Sequence, residues 1–299
     1  MRSTLPRKKH MDVSNTVDVT NPVAVTKAVR AILDQRYPDS DFSVVDTLVK
    51  DFSHLYNGDY PGYQACDINY HNLQHVLDVT LAMARLIDGY EQVSPLKDQL
   101  GAELALTGIA SALFHDAGYI RRDGDNKHRN GAGYTRVHVT RSAQFLWDYL
   151  PSVGLQSIRS VCKRTVHFTG YELNPDVIKV KSGKERTLGA LLGTADLIAQ
   201  MADVEYVKKC REDLFSEFEA GGMTGEKGLT SSVGVVFRSP EHLLESTPRF
   251  IRTAIEVRLD GYFRGVYRHA ADFFKGPNLY MESIERNCLE LERQLAAGA

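Results

Sequence analysis

The run YHNLQHVLDVTLAMARLI, Tyr70–Ile87, is the stretch from which the rest of the chain is read. Within its apolar helical pattern His71, His75 and Asp78 fall at i, i+4 and i+7. On a helix such positions share a face. That face continues into Ala82 and Leu86, so His75 points inward, where it is poorly solvated. A single histidine on an apolar face is commonly an ordinary core residue, so the weight rests on what accompanies it.

Five further positions accompany it. The apolar helix of residues 104–114 ends in adjacent His115 and Asp116, with Gly118 placed to terminate it. An ionised carboxylate at the end of a buried helix is costly unless it is paired, hydrogen-bonded or bound to a cation. The partial negative charge of a helix C-terminus worsens its position. Imidazole nitrogen and carboxylate oxygen are ordinary ligands for a divalent metal, which would remove both costs. Asp196 interrupts LGALLGTADLIAQMAD among Leu188, Leu191, Leu192, Ala195 and Ala199, with Gln200 and Asp203 on a similar face. His138 opens HVTRSAQFLWDYL, and His167 closes IRSVCKRTVH. His10, His54, His128, His242 and His269 share no pattern.

Helical periods recur over residues 23–36, 42–56, 70–90, 97–116, 135–150, 156–167 and 185–219, separated by Gly, Pro and polar turns. After Ser239, a capping residue with Pro240 at the first helical position, two more helices run to about Phe274 and from Asn278 to Leu295. Residues 121–134 form a polar loop carrying Arg121, Arg122, Lys127 and Arg129, and Val233–Phe237 is a short β-prone run. The expected fold is all-α. Residues 1–21 form a loosely held arm, residues 22–220 the main domain, and residues 221–299 a helical extension on the same core. The stripe Ile284, Cys288, Leu291 and Leu295 buries one side of the last helix, against that core or in a homodimer.

The 299 residues carry 36 Lys+Arg against 38 Asp+Glu, a formal net charge of −2, which argues against a dedicated nucleic-acid or membrane-surface binder. The longest apolar stretch, Leu104–Phe114, is about half of the ~20 residues a spanning helix needs. Residues 11–20 are polar where a secretory signal is apolar, so a cytoplasmic location is expected. Cys66, Cys162, Cys210 and Cys288 form no Cys-x-x-Cys pair and read as buried thiols.

The order His75, His115-Asp116, Asp196 resembles that of the HD superfamily of metal-dependent phosphohydrolases. The string YHNLQHVLDV is similar to the first signature of class I cyclic-nucleotide phosphodiesterase catalytic domains. The resemblance covers roughly residues 50–220 and implies an HD-domain helical bundle. It further implies that His75, His115, Asp116 and Asp196 hold a first metal, that Asp116 bridges to a second, and that His71 protonates the leaving alkoxide. The positions 138, 167 and 196, two successive intervals of 29, also look like the spacing of binuclear HD-GYP phosphodiesterases and inositol oxygenases, which implies His138 and His167 as ligands of the second metal. In HDAGYIR, Tyr119 replaces the second histidine of class I phosphodiesterases and the lysine of the other two families.

These readings lead to a metal-dependent phosphohydrolase, a phosphodiesterase acting on a nucleotide, cyclic nucleotide or similar small phosphoester. It uses one or two divalent ions, for which Zn, Mn, Mg, Fe and Ni all suit the ligand set. Asp78 either orients an imidazole or forms an ion pair. A di-iron oxygenase with the same ligands and a non-catalytic HD-like regulatory domain are the alternatives.

Overall fold

The computed structural model describes residues 7–224 and 237–298; among these the chain is helical, with no β-strand. The helices are α1 (Pro22–Arg36), α2 (Val44–Asn57), α3 (Leu73–Val93), α4 (Ala102–Phe114), α5 (His138–Tyr149), α6 (Arg159–Thr165), α7 (Gly183–Met201), α8 (Tyr206–Lys209), α9 (Phe215–Ala220), α10 (Pro240–Thr253), α11 (His269–Phe274) and α12 (Leu279–Gly298). The all-α expectation holds. The β-prone run at 233–237 lies outside the described residues except for Phe237. Among the described residues, no helix is long and apolar enough to cross a membrane.

At the centre stands α3, buried on almost every side from His75 to Gly89, with α1, α4, α7 and α11 packed around it. Close approach is written into the sequence at Gly89, where a Cβ would lie 1.9 Å from the carbonyl oxygen of His269. Only glycine lets α11 settle there. The helix starts later than its periodicity predicts, because the Asn72 side chain accepts a hydrogen bond from the His75 backbone N–H and so caps it. His71 therefore precedes the helix instead of lying on its first turn.

Two other expectations are corrected. The arm expected to hang loosely is bound from residue 7 onward. Arg7 donates to Asp78 at 2.6 Å and to the Ala202 carbonyl at 2.7 Å, while Asp12, Val13 and Val19 are buried. Its polar composition serves ion pairs rather than solvation, which periodicity cannot reveal. The single helix expected over 185–219 ends at Met201 and resumes at Tyr206 through a π-helical turn, Cys210–Leu214, before α9. Asp203 caps the restart through the Glu205 N–H, and Asn287 of α12 donates to the freed carbonyls of Met201 and Asp203. The expected cap at Ser239 is present, accepting from the His242 N–H ahead of α10. The helix after it gives way to a π-helical stretch, Ala254–Tyr262. Ile284 and Leu291 of α12 are buried within the chain, and α12 packs on α7 and α10.

Candidate metal centre

Three helices deliver side chains to one buried point. The capped first turn of α3 carries His75, the end of α4 carries His115 and then Asp116, and the middle of α7 carries Asp196. His75 Nε2 lies 3.4 Å from Asp116 Oδ2 and 3.4 Å from Asp196 Oδ1. His115 Nε2 lies 3.2 Å from Asp116 Oδ2 and 3.7 Å from Asp196 Oδ1. The ligand atoms of His75, His115 and Asp116 all fall within 4.8 Å of one another, so this buried group could hold a metal ion.

The state of the individual atoms fits that role. His75 Nε2, His115 Nε2 and Asp116 Oδ2 are buried without a hydrogen-bond partner, although they face one another. Three converging polar atoms left unsatisfied together are what a shared cation would resolve. The tautomers agree. His115 Nδ1 lies 2.7 Å from the Ala112 carbonyl and must donate to it, which leaves the Nε2 lone pair facing the cluster. His138 repeats the device, with Nδ1 2.6 Å from the Thr135 carbonyl and Nε2 3.7 Å from Asp116 Oδ1. Asp116 thus turns one oxygen towards His75 and His115 and the other towards His138.

Electrostatics point the same way. Burial opposes charge on His75, yet the facing carboxylates of Asp116 and Asp196 push its imidazole up to about 10. His115 is likewise raised against burial by Asp116. Despite its own burial, Asp116 is held well below the carboxylate range by the surrounding histidines. The cluster therefore demands positive charge, whether from protons or from a cation. For His138 burial prevails and its pKa is lowered.

His71 stands beside the cluster, its ring centroid 5.7 Å from that of His75, and its Nδ1 lies 2.6 Å from Glu217 Oε2. Glu217, 4% exposed on α9, also accepts from the Tyr70 N–H at 2.6 Å. Tyr119 is sandwiched between His71 and His138, with centroids at 4.6 and 4.4 Å. The turn that carries it, Ala117–Tyr119, fits under α5 because residue 118 is glycine: a Cβ there would lie 1.9 Å from the His138 carbonyl oxygen. The Tyr70 hydroxyl donates to Gln200 Oε1 at 3.1 Å, one turn beyond Asp196.

The histidine and aspartate positions singled out in the sequence thus divide. His75, His115, Asp116 and Asp196 converge, His138 reaches Asp116, and His71 flanks them. His167, in the turn Val166–Phe168, makes no ion pair or ring contact with the group, and its Nδ1 is buried without a partner. Asp78 is committed to Arg7. In the basic loop, Arg121 is engaged by Asp67 at 2.6 Å. Glu217 was not anticipated, standing in a segment with Glu212, Asp213 and Glu219 whose pattern does not set it apart.

Residues 61–265 match the family described as Npun_R2479-like. No curated protein matches the chain.

Proposed function

We propose that this chain, which belongs to the Npun_R2479-like family, is a metal-dependent phosphohydrolase of the HD type, a phosphodiesterase that hydrolyses the phosphoester of a cyclic nucleotide, a nucleotide or a similar small molecule. The observation that carries the reading is the trio of buried, unpartnered atoms on His75, His115 and Asp116, beside a histidine-carboxylate pair. All of these residues lie inside the stretch that defines the family.

In this reading His75, His115, Asp116 and Asp196 hold a divalent cation, and Asp116 with His138 offers a place for a second. Such an ion supplies Lewis-acid charge to phosphoryl oxygens and lowers the pKa of a bound water. The chain supplies the rest. His71 keeps Nδ1–H on Glu217, which fixes the orientation of the ring. A proton on Nε2 is thereby presented to the leaving oxygen. Once that proton is given up, the imidazole is neutral and still bound to Glu217, ready to be recharged from solvent. Tyr119 stacks on His71 and His138 and blocks their rotation; its apolar ring also limits water around them.

The test is hydrolysis of a panel of phosphodiesters and phosphomonoesters by purified protein supplied with Mn or Mg. Turnover of a diester by the wild type, lost in both His115→Ala and Asp116→Ala, supports the reading. Activity unchanged in both variants would sink it, and oxygen-dependent oxidation of a polyol by iron-loaded protein would replace it with oxygenase chemistry.

A further inference from the structure

Arg258 lies in the π-helical stretch Ala254–Tyr262 with only 6% of its surface exposed. Wide helical turns of this kind are often found at functional sites. Its Nη2 donates to the carbonyls of Phe168 and Gly170, both at 2.9 Å, and its Nε is buried with no partner. The guanidinium is flanked by the rings of Tyr171 at 4.1 Å and Phe263 at 5.3 Å. What it lacks, among the described residues, is a counter-ion. The other arginines buried to this degree, Arg7 and Arg85, each meet a carboxylate, Asp78 and Asp12. Among the described residues Arg258 meets only carbonyls and aromatic faces.

A buried guanidinium without a paired anion is costly to maintain. Burial pushes its pKa down, and the groups that offset this are Tyr171, Asp196 and Tyr262. Geometry places Arg258 next to the Asp196 turn of α7: the Phe168 carbonyl that it holds, and the Phe263 ring that flanks it, both pack on Gly193, where a Cβ would lie 2.5 and 2.6 Å from them, three residues before Asp196. A cation held by Asp196 would cancel that carboxylate's influence and leave the positive charge of Arg258 uncompensated. The flanking Tyr171 is itself 36% exposed, so the guanidinium lies one ring away from solvent.

We infer that Arg258 is the anion-binding residue of this site, its guanidinium receiving a phosphate oxyanion beside Asp196. The identity of the anion rests on the phosphohydrolase reading. The role explains why a charge is buried here and why it comes from outside the helices that carry the metal-ligating residues. It also gives the C-terminal extension a direct part in substrate recognition.

Calorimetric titration with inorganic phosphate of the wild type, Arg258→Gln and Arg258→Lys, all loaded with Mn, tests this separately from hydrolysis. Loss of a charge-assisted contact should weaken phosphate binding about tenfold or more in Arg258→Gln, with lysine restoring it to within about threefold. Equal affinity in wild type and Arg258→Gln, or no phosphate binding by the wild type, overturns the inference. Arg258-dependent binding without any hydrolysis would keep it and sink the phosphohydrolase reading instead. Should Arg258→Gln fail to fold for want of its bonds to Phe168 and Gly170, phenylglyoxal labelling of the wild type decides. Phosphate must protect the peptide carrying Arg258; no labelling, or labelling indifferent to phosphate, counts against it.

Discussion

At His115 one hydrogen bond determines what the rest of the ring can do: Nδ1 is spent on the Ala112 carbonyl, so Nε2 is left as a lone pair in a buried cluster. His71 is the counterpart, with Nδ1 on a carboxylate and no place among the converging atoms. The two histidines should therefore fail differently. His71→Ala should cut turnover by about 10²–10⁴-fold, the range for a general acid, and leave bound metal unchanged. Glu217→Gln should give a smaller loss of turnover with the same metal content, because the ring keeps a partner but loses its counter-charge. Metal analysis beside a steady-state assay checks both, and metal lost with His71 would make it a ligand. His75, His115, Asp116 and Asp196 were legible because each interrupts an apolar helical pattern. Glu217 was not, because its helix carries several acids and only packing separates the buried one from the solvated ones.

Among the elements, the arm departs most from its expectation. Asp12 accepts from the Thr16 and Val17 N–H groups and from Arg85 of α3, which also donates to the Tyr280 hydroxyl of α12. Burial would raise the Asp12 carboxyl, but Arg85 and the bonds from Ser14 and Val17 bring it down from the ordinary 3.8 to about 2. A depressed carboxyl stabilises the fold above its unfolded pKa and loses that contribution as pH falls through the folded one. The advantage of wild type over Asp12→Asn should thus be constant above pH ~5, at about 2 kcal/mol, and fade between pH ~4 and ~2. Denaturant unfolding at a series of pH values reads this directly, and a gap that is independent of pH would mean the charge contributes nothing. The break after α7 offers a second test. Asn287→Ala strips the Met201 and Asp203 carbonyls of a donor and should cost about 1–3 kcal/mol without affecting metal content. The start of α10 could be read in advance because Ser239 and Pro240 are local signals. The end of α7 could not, since its cap comes from α12, more than eighty residues away.

For the molecule as a whole, α3 is the common scaffold: the arm, α4, α7 and α11 assemble on it, and that assembly brings His75, His115, Asp116 and Asp196 together. The family stretch, residues 61–265, contains every residue of the candidate centre together with Arg258, whereas the arm and α12 lie outside it as bracing. The near-zero net charge, which argued against a polyanion binder, sits easily with a small anionic substrate if positive charge is concentrated at one buried point. Everything therefore turns on whether that point holds a cation. Elemental analysis of protein purified without added metal, run beside His115→Ala and Asp116→Ala variants shown by circular dichroism to be folded, measures it. The account predicts at least one divalent ion per chain in the wild type and its loss from both variants; a folded wild type that binds no divalent metal, even when it is supplied, would contradict it.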